Sequence, residues 1–265
     1  MNKVLIKRIF KKQSISILIY GLSLFLFHLL MVSLYPTMGD SMIGMLDNMP
    51  PIFQNMFGGE LISFTNLNSF VSIGYNHPIV VFLLVFYPLT TAIAAVAAEV
   101  KTGTAELLFT RPLRRYKVIL SNFLVLLAAG LIIIIAGALG SYAGLFFIDI
   151  KESIDIFYLL RLVINSLSLI IAVAGFSFFL SLAFKKIENS GKNAAYLFAF
   201  MYVMDFLVDI WEAIKPLRFL SIFYYYTPEK ILQGDNVWII NSFVLAITGL
   251  IFTVLAIFIL ERRDL

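Results

Sequence analysis

The chain has 265 residues, 61% of them hydrophobic and 14% charged, with a mean hydropathy of +0.95. Soluble domains carry roughly 25% charged and 45–50% apolar residues, so a single water-soluble globule is excluded and lipid is the expected solvent. The chain has no cysteine and only two histidines, His28 and His77, which excludes disulfides, thiolate metal centres and a histidine metal cluster; the net charge of +4 matters less than where the charges lie.

Residues 1–12 mix Val4, Leu5, Ile9 and Phe10 with Lys3, Lys7, Arg8, Lys11 and Lys12. That pattern suits a short interfacial helix on an anionic inner leaflet, or an orientation signal alone. The first apolar run, 15–35, is longer than the roughly 7–15 residues of a signal-peptide core, and no A-x-A-like site follows it, so it is expected to stay as an anchor. The next stretch, 36–78, has no Lys or Arg and is broken by Pro50-Pro51 and Gly58-Gly59. Leu61, Phe64, Leu67, Phe70 and Val71 recur near helical spacing, which predicts short amphipathic helices at the outer leaflet, as a cap or as part of an exit surface.

Five more apolar runs follow: 79–98, 118–148, 156–184, 194–211 and 237–260. About 20 residues cross a bilayer as helix, and helix is the open-ended element that satisfies its own backbone in lipid. The predicted fold is an all-α membrane protein of one domain with six transmembrane helices. The third and fourth runs exceed one straight crossing and must tilt, bend or protrude. Gly137, Gly140 and Gly144 are bend or close-packing points in the third; Gly140-x-x-x-Gly144 fits a small-residue interface within the chain or between two copies.

The basic residues alternate in number between the two sets of loops. One side collects the five N-terminal cations, then Lys101, Arg111, Arg114, Arg115 and Lys117, then Lys185, Lys186 and Lys192, then Arg262 and Arg263; the other has Lys151, Arg161, Lys215, Arg218 and Lys230. The excess predicts cytoplasmic termini, which an even number of crossings also requires. In the fifth run Asp205 and Asp209 stand four residues apart, as candidates for a substrate or gating role or as groups in the wet outer third. Residues 212–236 should form an outer interfacial element, not a seventh span, with Tyr224, Tyr225 and Tyr226 as an aromatic belt.

Residues 97–119 interrupt the apolar pattern on the cytoplasmic side. Thr102-Gly103-Thr104 offers a turn, Thr104 can cap a helix, and Glu106 falls in its first turn, where the helix dipole favours a carboxylate. Leu107, Leu108 and Phe109 give it an apolar side, and Pro112 stops it at Arg111. A helix this short is unstable alone; it needs the membrane or a docking partner.

The string E-V-K-T-G-T-A-E-L-L-F-T-R-P-L-R-R-Y-K-V-I-L-S-N over residues 99–122 resembles the permease subunits of type-2 ABC exporters at the same point between spans two and three. The matching positions are Glu99, Gly103, Thr104, Glu106, Leu107, Leu108, Arg111, Pro112 and Arg115. The basic N-terminus, PPIFQNMFGGELISF in the first outer loop, LSIFYYYTPEKIL before span six and the ERRDL ending extend the resemblance over nearly the whole chain. It implies that 99–117 is a coupling helix docking on a separate cytosolic ABC ATPase, that residues 1–12 form an interfacial helix, and that a second permease subunit, identical or not, completes the pathway.

The sequence contains no G-x-x-x-x-G-K-[ST]. No cofactor is expected in this chain; ATP and Mg belong to the partner. No nucleic-acid partner, catalytic residue or metal is expected. The expected setting is a plasma membrane, in a bacterium the inner one. The spans hold few polar residues, among them Asn122, Ser141, Asn165, Ser166, Ser168, Ser177 and Ser181, which suits a hydrophobic, amphipathic, peptide or lipid-like cargo. Two alternatives stay open: a gradient-driven transporter using Asp205 and Asp209, and a non-transporting sensor or immunity subunit.

Overall fold

The computed structural model describes residues 3–46, 50, 67–101, 116–148, 153–184, 187–208 and 210–262, with backbone only for 38–46, 98–101 and 187–189. These residues form eight α-helices: α1 Lys3–Leu46, α2 Leu67–Asn76, α3 Pro78–Lys101, α4 Tyr116–Gly144, α5 Ile156–Ala183, α6 Ile187–Val208, α7 Pro228–Leu232 and α8 Trp238–Arg262. Three 3₁₀ segments, Leu145–Phe147, Glu212–Leu220 and Phe223–Tyr225, complete the order. Five helices, α1, α3, α4, α5 and α8, are long and apolar enough to cross a membrane. The sixth expected span, 194–211, coincides largely with α6, which carries Glu188, Lys192 and Asp205 and is not among those five.

α1 packs along α4, and α5 along α8, with α3 and α4 joining the two pairs through α5. The glycines expected to bend or close-pack the third run do the latter, inside the chain. A Cβ on Gly140 would overlap the carbonyl of Phe25, and one on Gly144 would sit 2.6 Å from Cβ of Val32. Backbones approach that closely only where side chains are absent. A second such crossing joins Gly175 of α5 to Gly249 of α8.

Residues 3–12, expected as a separate interfacial helix, are instead continuous with the first long helix. Lys, Arg, Gln and Ile sustain a helix, and no Gly or Pro interrupts before Gly21. At its far end α1 runs past Pro36 to Leu46. α2 is a buried amphipathic helix, and residues 212–236 form short helices rather than a span. Asp155 starts α5 by accepting the Phe157 N–H at 2.7 Å, an N-cap.

Two buried clusters result. One fills the space between the long helices around Leu126, Leu169, Val173 and Phe178; the other lies beneath a cap made by α2 and α7, around Phe70, Leu67, Leu162 and Ile231. The cap therefore closes one end of the bundle, and the opposite end carries Lys3, Lys101, Lys117 and Arg262.

Candidate functional site

Of the residues expected to couple the chain to an ATPase, Glu99 belongs to the last turn of α3. Gly103, Thr104, Glu106, Leu107, Leu108, Arg111, Pro112 and Arg115 lie outside the described residues, as does Asp209. What the fold sets around that segment is its frame. α3 delivers the chain at Lys101 and α4 takes it up at Tyr116, both at the bundle end opposite the cap.

Asp205 is placed. Its carboxylate accepts the Arg218 Nε–H at 3.3 Å, across the turn between α6 and the 3₁₀ segment Glu212–Leu220. Arg218 also lies over the Tyr224 ring, 5.3 Å from its centroid. Ser221 ties the same segment to α6 by donating to the Met201 carbonyl at 3.0 Å. Asp205 thus belongs to a strap that fastens the end of α6.

A polar hub that the sequence does not reveal sits beneath the cap. The buried Asn165 of α5 donates to the Tyr225 carbonyl at 3.0 Å and to Ser242 Oγ of α8 at 3.2 Å, and accepts the Thr227 N–H at 3.4 Å. Asn241 donates to Thr227 Oγ1 at 3.0 Å. One side chain thereby holds two long helices and the loop between α6 and α8. Its partners stand 60 or more residues away in sequence, so spacing carries no signal of them.

Tyr226, expected in an exposed belt, points inward. Its hydroxyl donates to the Tyr75 carbonyl at 3.2 Å, and the Tyr75 hydroxyl lies 3.2 Å from Ser141 Oγ. Burial pushes both phenols well above their ordinary range, so they stay neutral donors. The phenol inverts because the freed backbone oxygen beneath it is a better partner than lipid is. Tyr224 stays on the surface, and Arg161 lies over the Tyr158 and Trp238 rings at 5.2 and 5.8 Å from their centroids.

No catalytic constellation accompanies these groups, and no metal-binding cluster of His, Cys, Asp and Glu occurs among the described residues. The model of the ABC-2 family transporter proteins matches residues 10–265.

The chain belongs to the ABC-2 transporter family.

It is therefore a multi-pass permease of that family, a membrane transport component. No curated protein and no solved structure matches it. The family match covers the segment between α3 and α4 and the cap alike.

Proposed function

We propose that this permease is the membrane subunit of an ATP-driven exporter, moving a hydrophobic, amphipathic, peptide or lipid-like substrate out of the cytoplasm of a bacterium. A separate cytosolic ABC ATPase supplies the energy, and a second permease subunit completes the path. The observation that carries this reading is the family match over residues 10–265, beside a sequence without a P-loop.

α6 is the sixth span in this reading. Its stretch 194–204 is free of charge, and it packs on α5 and α3. Six crossings, with the excess of basic residues in the N-terminal segment and in the loops 99–117 and 185–192, put both termini and residues 102–115 on the cytoplasmic side. Residues 99–117 then meet the ATPase, with Gly103 in the turn, Glu106 and Leu107 on the docking helix, Glu99 and Arg111 as polar links that keep it rigid, and Arg114, Arg115 and Lys117 at the phosphate layer. The nucleotide state biases which arrangement of α3 and α4 is populated.

Asp205 serves the strap to Arg218 here, which weighs against its use as a mid-membrane proton carrier in a gradient-driven transporter. A sensor or immunity subunit would bind the same ATPase and move nothing. Gentle purification should bring a P-loop ATPase with the permease, and the reconstituted pair should transport only with ATP. Gly103→Trp and Glu106→Lys should abolish ATP-coupled transport while insertion stays normal. A permease that transports alone on an ion gradient, or normal transport by both variants, would overturn the assignment.

A further inference from the structure

Three carboxylates stand around the starts of α5 and α8, and each is engaged locally. Asp155 accepts the Phe157 N–H at 2.7 Å, Glu229 accepts from Asn76 at 3.4 Å, and one oxygen of Asp235 accepts the Val237 N–H at 3.1 Å. Arg161, in the same region, has no carboxylate within ion-pairing distance among the described residues. Its guanidinium is fixed instead over the Tyr158 and Trp238 rings. Stacking occupies the flat of the guanidinium and leaves its N–H edge for a planar oxyanion. The Trp238 indole N–H beside it is buried and has no hydrogen-bond partner. A buried donor without an acceptor is costly, so two donors of one cluster call for the same acceptor.

The turn that carries Asp235 is firmly placed. The Gly234 N–H bonds the Ile231 carbonyl at 3.1 Å and the Asp235 N–H bonds the Lys230 carbonyl at 2.8 Å. That pair of bonds ends a helix on a residue of positive φ, and Gly234 has φ 91°. A side chain there would meet the Tyr158 hydroxyl, 2.9 Å from the Cβ position. Tyr158 thus meets the Asp235 turn with its hydroxyl and Arg161 with its ring, which sets guanidinium and carboxylate along one phenol without pairing them. Asp235 is exposed, and its second oxygen has no partner among the described residues. Further along the same two helices Ile164 of α5 and Ile240 and Phe243 of α8 are exposed. A cation, an indole donor and a carboxylate therefore stand at the head of an apolar wall.

We infer that Arg161, Trp238 and Asp235 bind the headgroup of a phosphatidylethanolamine, held as a resident lipid where α5 and α8 begin and not as cargo. The phosphodiester accepts from the Arg161 fork and the Trp238 N–H, a charge-assisted arrangement. The ammonium donates to the Asp235 carboxylate, and the tails lie along Ile164, Ile240 and Phe243. One cation beside one carboxylate suits a zwitterion better than a lipid of net negative charge. A choline headgroup has no N–H to give Asp235, and the Tyr158 and Trp238 rings that could cage it already carry Arg161. The inference goes beyond the export reading: binding is measured on the permease alone, so neither an ATPase nor the sidedness of the cap enters the result.

The chain has two tryptophans, Trp211 and Trp238, so Trp211→Phe leaves Trp238 as the reporter. Full-length permease carrying that substitution, stripped of lipid in neutral micelles, is titrated with short-chain phosphatidylethanolamine, phosphatidylglycerol and phosphatidylcholine while Trp238 emission is read. Phosphatidylethanolamine should shift the emission saturably and bind about tenfold tighter than the other two, the worth of one charge-assisted hydrogen bond. Arg161→Gln should weaken its binding about tenfold. Asp235→Asn, whose side chain still caps Val237, should fold normally and bind phosphatidylethanolamine and phosphatidylcholine alike. Arg218→Gln, at the other arginine stacked on a tyrosine, should leave binding unchanged. Equal binding of the three lipids by the parent, a preference that survives Asp235→Asn, or equal weakening by Arg161→Gln and Arg218→Gln would each overturn the inference. Displacement by millimolar soluble phosphoethanolamine, a headgroup without tails, would assign the site to a soluble zwitterion and overturn the lipid.

Discussion

Gly175 and Gly249 face each other across α5 and α8 so closely that a Cβ on Gly175 would run into the backbone of Gly249, and one on Gly249 into the Ile171 carbonyl. These glycines set the separation of two of the bundle's longest partners. Gly175→Val and Gly249→Val should each force the helices apart and destabilise the protein by about 1–3 kcal/mol or more, the usual cost of overpacking. A thermal-shift measurement in detergent reads the loss. Gly191→Ala is the control: its Cβ would meet Ile93 at an ordinary 3.6 Å, and alanine favours helix over glycine by roughly 1 kcal/mol, so its melting temperature should hold or rise. Equal losses at Gly191 and Gly249 would contradict the crossing.

Asn165→Leu should be among the costliest substitutions of a polar residue. It strands the Tyr225 carbonyl and the Thr227 N–H beneath the cap, and an orphaned buried group costs about 1–3 kcal/mol. Ser242→Ala removes one partner of the same side chain and should cost less. A double-mutant cycle between the two positions should show coupling; strict additivity would mean that the hub does not act as a unit.

Asp205→Asn should change little. The pair with Arg218 is partly exposed, with side-chain accessibilities of 22% for Asp205 and 33% for Arg218, and such pairs contribute about 1 kcal/mol or less. ATP-driven transport by the variant should persist at near the wild-type rate. Complete loss of transport with normal stability would move Asp205 from the strap to the pathway.

His77 lies where the cap meets α3 and accepts the Ile79 N–H on Nδ1 at 3.3 Å, with Phe27 packed 5.1 Å from its ring. Burial lowers its pKa below the ordinary 6.5. The unfolded chain therefore binds the proton more readily than the folded one. The stability His77 contributes is present above pH 6.5 and is lost as the pH falls through the folded value. Melting temperature should decline from pH 7 towards pH 5, and His77→Gln should flatten that decline. An unchanged slope in the variant would remove His77 as its source.

The long helices were legible because hydropathy and length act locally. The run 156–184 is α5 Ile156–Ala183, and the run 237–260 is α8 Trp238–Arg262. The N-terminal ten residues were not, since Lys7, Arg8, Lys11 and Lys12 suit an interfacial helix and the continuation of a spanning one equally well. The close packing at Gly140 and Gly144 was visible from their spacing; that at Gly175 and Gly249 was not, since each is a lone glycine on its helix. Asn165 stood out as a polar residue in an apolar run, but its partners come from two other segments that only the tertiary fold brings together. The coupling motif at 103–115 rests on resemblance and the family match alone.

The most direct test concerns which side of the membrane that motif occupies. Thr104→Cys would be the chain's single cysteine, and a membrane-impermeant maleimide can be offered to right-side-out and inside-out vesicles. Labelling is expected only in inside-out vesicles, and bound ATPase subunit should protect the site. Labelling from the outer face, or no labelling from either face until the bilayer is dissolved, would contradict a cytosolic coupling segment.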